Sequence, residues 1–394
     1  MGETGKTLVD ERVVYVPETS QSEVCIIPAK AKTTFLWGRK SPPCSDNSSH
    51  VITKKEIKIM NNKNILLENR TDIQGLNFRS FKGESDYPAM IKIIEAASKA
   101  DQDERSITLD DIKHDYEHLN NCDPTKDMIF AEILGKPIAY SRVDWYQEEK
   151  PNDRIYTHFV YIVPEWRQRG IEKAMIDWCE SRLETIAADH PNDSKQSFQT
   201  YSTDRKKPFN QLLESSGYQA ARYFFEMSRP LIDIPAAALP EGVEIRPVLE
   251  KDIRKIWDAS IEAFRDHWGF SEPTETDFRG YQGSKYFQPE LWQVAWHDDQ
   301  VVGSVLNYVD HDYNKKYNKK RGWTEEITTH RKWRRKGIAG ALIVESMHMH
   351  KTNGMTEVGL GVDTNNLTGA LNLYKRLGYR KDKTMISYRK SMQE

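Results

Sequence analysis

Apolar and polar positions change period several times along the C-terminal half of the chain. Leu291 to Trp296 and Val301 to Val305 alternate about His297-Asp298-Asp299-Gln300, the pattern of a hairpin. Trp323 to Thr329 reads as the next strand. Ala339 to Lys351 then runs at helical spacing, with Ala341, Leu342, Val344, Ser346 and Met349 within reach of its buried side. Asn353-Gly354 supplies a left-handed stop. Glu357 to Val362 is predicted as a strand, Thr368 to Leu377 as a helix closed by Gly378, and Thr384 to Arg389 as a last strand. Strands in a run, then strands alternating with helices, predict an α/β fold on a mixed (α+β) sheet. A parallel pair is expected around the helix that begins near Gly337.

The chain repeats this pattern. Val163-Pro164-Glu165-Trp166-Arg167-Gln168-Arg169-Gly170-Ile171 aligns with His330-Arg331-Lys332-Trp333-Arg334-Arg335-Lys336-Gly337-Ile338. At the same offset Leu76-Asn77-Phe78-Arg79 meets Val243-Glu244-Ile245-Arg246, and each opens a unit followed by a helical run, Tyr87 to Ala97 or Ile253 to Phe264. Leu212 to Tyr218 matches Leu373 to Tyr379. A whole domain is duplicated, with Ile234 to Pro240 as a proline-bearing linker. The predicted organisation is an extension over residues 1–70, poorly ordered, a first copy over 71–232, a linker over 233–240 and a second copy over 241–394. Met60 is a conceivable alternative start, and Gly2 to Thr7 has only the tail of a P-loop.

Composition narrows the partners. With 57 basic and 59 acidic residues the formal net charge is -2, so no nucleic acid or anionic membrane is demanded. No stretch approaches the roughly 20 apolar residues of a membrane span, and no secretory signal opens the chain. Cys25, Cys44, Cys122 and Cys179 lack the spacing of a zinc site or disulfide framework. A cytoplasmic protein without metal is expected. The segment Tyr313 to Arg321 is basic with interleaved tyrosines; a solvated hairpin loop is expected there rather than a nucleic-acid patch.

Candidate chemistry centres on Arg334-Arg335-Lys336-Gly337-Ile338-Ala339-Gly340-Ala341. A basic, glycine-punctuated turn from strand into helix leaves the first helical N–H groups without internal partners, at the positive end of the helix dipole. Basic residues oppose that dipole, so a cluster of Arg331, Lys332, Arg334, Arg335 and Lys336 makes sense with an anion present. A phosphorylated ligand is expected at this seat.

The octapeptide resembles the Gcn5-related N-acetyltransferase (GNAT) superfamily, whose acyl-CoA signature Gln/Arg-x-x-Gly-x-Gly/Ala stands here as Arg334 to Ala339. A second family motif follows as Asn366, Ala370, Leu373-Tyr374 and Gly378-Tyr379. The tandem layout is similar to that of mycothiol synthase-like acetyltransferases. The resemblance implies two tandem acyl-CoA N-acyltransferase (GNAT) domains and acetyl-CoA as co-substrate. It implies binding through Ile327, Thr328, Thr329, Arg334, Arg335, Lys336, Gly337, Ile338, Ala339, Gly340 and Asn366. A splay or bulge in the strand before Arg334 would free an N–H for the thioester oxygen.

Under that resemblance Tyr374 is the expected general acid for the leaving thiolate, and Glu325 or Glu326 the base, directly or through water. Adjacent strand residues face opposite ways, so only one of these carboxylates lines the acceptor cleft. His330 is a weaker candidate, and His348 and His350 lie on different helix faces. The implied reaction is transfer of an acetyl group to a small-molecule primary amine. A non-catalytic acyl-CoA-binding regulator and a peptide or protein acetyltransferase are the alternatives. The first copy departs at two points: Glu172 replaces the small residue Ala339, and Leu213 replaces Tyr374. It is therefore expected to be degenerate. Oligomeric state is not legible.

Overall fold

The computed structural model describes residues 73–393 other than Leu367; the expected extension over 1–70, Met60, Cys25 and Cys44 lie outside the described residues. The first copy comprises β1 (Leu76–Ser80), α1 (Tyr87–Ala100), α2 (Leu109–Glu117), β2 (Met128–Ile133), β3 (Lys136–Gln147), β4 (Arg154–Ile162), α3 (Ile171–Ala187), β5 (Gln196–Thr203), α4 (Lys207–Ser215) and β6 (Gln219–Pro230). The second comprises β7 (Glu244–Ile245), α5 (Ile253–Phe264), α6 (Glu275–Gln282), β8 (Gln293–His297), β9 (Gln300–Tyr308), α7 (His311–Tyr317), β10 (Arg321–Thr329), α8 (Ile338–Thr352), β11 (Glu357–Asp363), α9 (Ala370–Arg376) and β12 (Arg380–Ser391). Duplication extends to the helix starts. Thr108 with Asp111, and Thr274 with Asp277, form matching capping boxes at α2 and α6.

Among the described residues the strands form one mixed sheet in the order β1-β2-β3-β4-β5-β12-β6-β11-β10-β9-β8-β7. The final strand of each copy is seated on the other copy. β12 pairs with β5 from Met385↔Thr203 to Ser391↔Ser197. β6 pairs with β11 from Glu357↔Pro230 to Asp363↔Phe224. The two exchanged strands pair antiparallel with each other at the centre. The cores follow the exchange. Met227 and Leu231 pack with Val302, Leu342 and Leu360 of the second copy, while Ile386 and Tyr388 pack with Val143, Ile176 and Leu183 of the first. Each such fully buried apolar side chain contributes roughly 1.5–3 kcal/mol, so either core depends on side chains from the other copy's sequence.

The parallel pair expected near Gly337 is β10 with β11, and the predicted elements occur within a few residues of their expected ends. Helix α8 is more deeply embedded than its pattern indicated: Met347 and His350 are buried, whereas Met349 is partly exposed. The segment Tyr313 to Arg321 is not a solvated hairpin loop. It begins within α7, which Asp310 caps by accepting the Tyr313 N–H, and Tyr313 is buried against Trp323. The tyrosines serve packing and contacts between copies. Tyr313 donates to Glu104, and the Arg105 N–H donates to the Tyr317 hydroxyl.

Candidate active site

β10 and β11 pair in parallel from Arg321↔Glu357 to Trp323↔Gly359 and then part. Glu325 spans the parting, its carboxylate accepting the Gly361 N–H at 3.1 Å. On the other side β10 pairs with β9, and the register shifts between Glu325↔Leu306 and Thr328↔Ser304. Glu326 and Ile327 thus oppose Val305 alone. This is a β-bulge, with Glu326 at φ +47°. Such a bulge takes main-chain groups out of the ladder at the place where the strands have already separated.

The chain then turns through Arg331–Trp333 into α8. Arg335 at φ +63° and Gly337 at φ +88° make the turn. A side chain at Gly337 would be strained at that φ, and nothing lies within 4 Å of where its Cβ would stand. The backbone faces open space there, and no hydrogen bond to the Arg335 N–H is made among the described residues. Of the basic cluster, two side chains are directed elsewhere. Arg334 binds Asp266 at 3.0 Å and the Ala263 carbonyl, and Arg331 binds Asp266 at 2.7 Å. These guanidiniums anchor the turn to the C-terminal end of α5. Lys336 lies over the Trp333 ring at 4.4 Å.

Tyr374 comes from α9, which follows β11, and it is 2% exposed. Burial pushes its phenol well above the ordinary tyrosine value, and the nearby Glu325 carboxylate adds to the shift. It therefore keeps its proton at neutral pH, and the same burial makes it a weaker donor than an exposed phenol. Tyr379 lies 6.0 Å away and shares a hydrogen bond of 2.9 Å with Thr324. Asn366 shapes the turn before α9, its side-chain oxygen accepting the Thr368 N–H. Glu326 is partly exposed, and its charge helps raise the buried Tyr281 phenol on α6. The structure thus brings Glu325 close enough to Tyr374 to act on its phenol and sets Glu326 on the bulge. Of the weaker candidates, His350 is buried against the Trp323 carbonyl.

Sequence reasoning missed Arg222. This residue of β6 pairs with the fully buried Asp363 at 2.9 Å and reaches the Asn365 carbonyl, so a strand of the first copy supports the loop carrying Asn366. No local pattern marks an exchanged strand.

The first copy repeats the turn with Gln168 at φ +58° and Gly170 at φ +86°. Here the Glu172 carboxylate accepts the Gln168 N–H at 2.7 Å. Burial raises its carboxyl above the usual value, opposed by the Gln168 N–H and by Arg167. Its β3–β4 ladder runs without a register shift from Ala139↔Ile162 to Gln147↔Arg154. The bulge of β10 has no counterpart.

The pattern of the acetyltransferase (GNAT) family matches residues 253–379. That stretch, about a third of the chain, carries the family's pattern. The GNAT match spans α5 to the start of β12 and so includes the bulge, the open turn and Tyr374. A mycothiol acetyltransferase of Geodermatophilus obscurus is 25% identical over 234 residues, 58% of this chain and 72% of that protein. A GCN5-related N-acetyltransferase of Sphaerobacter thermophilus of known structure is 26% identical, with a TM-score of 0.63, covering 82% of this chain and 97% of that one. A tandem GNAT protein from the clavulanic acid biosynthesis pathway shares the fold, with a TM-score of 0.55 at 12% identity over 80% of this chain and 98% of that one. These matches support an acyltransferase, and the fold is that of a tandem GNAT protein. GNAT enzymes take acetyl-CoA as co-substrate. Among the described residues no helix is long and apolar enough to cross a membrane, and no group of three or more His, Cys, Asp or Glu is arranged to hold a metal.

Proposed function

We propose that the second copy transfers the acetyl group of acetyl-CoA to a primary amine of a small molecule, by direct attack in a ternary complex. The observation that carries this reading is the bulge at Glu326-Ile327, set between a parted strand pair and an open helix N-terminus. The pyrophosphate of coenzyme A would rest on the N–H groups from Arg335 to Gly340, with Ile338 and Ala339 in the first helical turn. Main-chain groups of Ile327, Thr328 and Thr329 would hold the pantetheine arm. A bulge amide would donate to the thioester oxygen as it becomes an oxyanion, an effect of about 3 kcal/mol.

The deprotonated amine nitrogen attacks the carbonyl carbon, the carbon–sulfur bond breaks, the Tyr374 phenol gives its proton to the departing thiolate, and the proton shed by the new amide nitrogen restores the phenol. Glu326 takes the proton from the substrate ammonium, directly or through one water. Glu325, engaged with Gly361, keeps the strands apart. The small-molecule preference draws on the mycothiol acetyltransferase relative. The test is a mass-spectrometric screen of the full chain with acetyl-CoA against amino sugars, polyamines, aminoglycosides and peptides. Acetylation confined to small amines supports the reading. Acetylation confined to peptides, or coenzyme A binding without any acetylated product, overturns it.

A further inference from the structure

The first copy contains a cavity of about 130 Å³ where β4 and β5 part beyond Thr157↔Gln199, walled by α1, α2, β3 and α4 and by Lys383 and Met385 of the exchanged β12. That is about ten times the ~10–15 Å³ that one water needs. Arg142 projects into it from the middle of β3 with a side chain 0% exposed. Among the described residues its one ion-pair contact is long, 3.4 Å from one nitrogen to Asp144, and Asp144 also accepts the Thr157 hydroxyl. Nε and Nη1 have no hydrogen-bond partner among the described residues. The guanidinium carbon lies over the rings of Tyr116 and Phe159 at 5.5 and 5.3 Å, and Arg142 is among the residues lining the cavity.

Among the described residues three further cavity atoms have no hydrogen-bond partner: the Tyr116 hydroxyl, Arg105 Nε and His158 Nδ1. His158 shares its other nitrogen with the Tyr218 hydroxyl at 2.7 Å, and burial, with Lys390 adding repulsion, lowers the imidazole to about 3, so it is neutral. The remaining cations are matched. Lys383 and Arg105 flank Asp103, and Lys206 lies 3.5 Å from Asp101. Leaving buried charged donors unpaired costs several kcal/mol in a closed core. In a cavity, the missing partner is supplied by what enters. Aromatic faces around a planar cation favour a planar anion, and Met90, Ile94, Ile107 and Phe209 supply apolar wall.

We propose that the first copy binds a small carboxylate-bearing molecule with an apolar body, its carboxylate on Arg142. The site is separate from the seat that Glu172 fills, and it stands whichever amine the second copy acetylates. The test uses the full chain with benzoate, butyrate and acetate, each against its amide. The carboxylates should raise the melting temperature saturably and the amides should not. Arg142→Met should weaken carboxylate binding roughly ten- to a hundredfold. Should that variant fail to fold, wild-type crystals soaked in 4-bromobenzoate give the same decision, with the bromine signal expected inside this cavity. Equal responses to acids and amides, carboxylate binding unchanged in Arg142→Met, or a soaked cavity holding water alone would each overturn the proposal.

Discussion

The Glu172 carboxylate holds the Gln168 N–H at 2.7 Å, where the second copy has Ala339 in place of the acid and makes no such bond to the Arg335 N–H. The first copy thus carries its own anion at the helix start, favourable to the dipole and unfavourable to an incoming phosphate. Ala339→Glu should reproduce this closure in the second copy. Affinity for acetyl-CoA should fall at least a hundredfold by calorimetry, with the melting temperature nearly unchanged. Retained affinity would show that the pyrophosphate lies elsewhere.

Tyr374→Phe removes a buried proton donor and little volume. The expected result is a drop in kcat of roughly 10²–10⁴-fold with KM for acetyl-CoA almost unchanged. A rate equal to wild type would assign Tyr374 to the core alone, as Leu213 is in the first copy.

Glu326→Gln keeps the bulge and removes the negative charge. If this carboxylate takes the amine proton, kcat/KM falls near neutrality and recovers as pH rises toward the pKa of the free amine, where the substrate arrives deprotonated. Glu325→Gln should instead act on both kcat and acetyl-CoA affinity, because Glu325 binds Gly361 across the parted strands. Identical pH profiles for Glu326→Gln and wild type would exclude Glu326 as base.

The second copy's alternation and glycine punctuation made β8 to α9 legible apart from α7, because each of the other elements there answers to its own local period. The duplication was legible for the same reason, through Arg167 with Arg334 and Gly170 with Gly337. The strand exchange was not, since β6 and β12 read as ordinary last strands and pairing partners carry no local mark. The basic cluster was read as phosphate-facing throughout, yet Arg331 and Arg334 answer to Asp266, a residue on another element. Arg142 and Asp144 did leave a trace: two opposite charges at strand spacing within an apolar run. That signal was overshadowed by the missing phosphate seat.

Arg222 and Asp363 join the copies beneath the Asn366 loop, and their pH response has a defined sign. Burial raises the Asp363 carboxyl above its ordinary value, with Arg222 opposing. A raised folded-state value favours folding below the unfolded value of about 3.9, and that contribution is lost as pH climbs through the folded one. Arg222→Met leaves the carboxylate buried and unpaired, a loss of about 3–5 kcal/mol at neutral pH. Removing the cation lifts the carboxyl further, so the deficit in melting temperature should be smaller at pH 4.5 than at pH 7.5. A pH-independent deficit would show that Asp363 is not the group left uncompensated.

β12 decides whether the two copies are separable. It stands between β5 and β6, and it gives Ile386 and Tyr388 to the first core. Removing residues 380–394 would strip a strand from the middle of the sheet and expose the paired edges of both neighbours. The first copy, although its own residues are intact, should then lose its structure together with the second. Calorimetry of the full chain should accordingly give one cooperative transition, and limited proteolysis of the truncated chain should leave no resistant core spanning residues 73–230. Two resolved transitions in the full chain, or a protected first copy after truncation, would show that the exchanged strands are dispensable to either core.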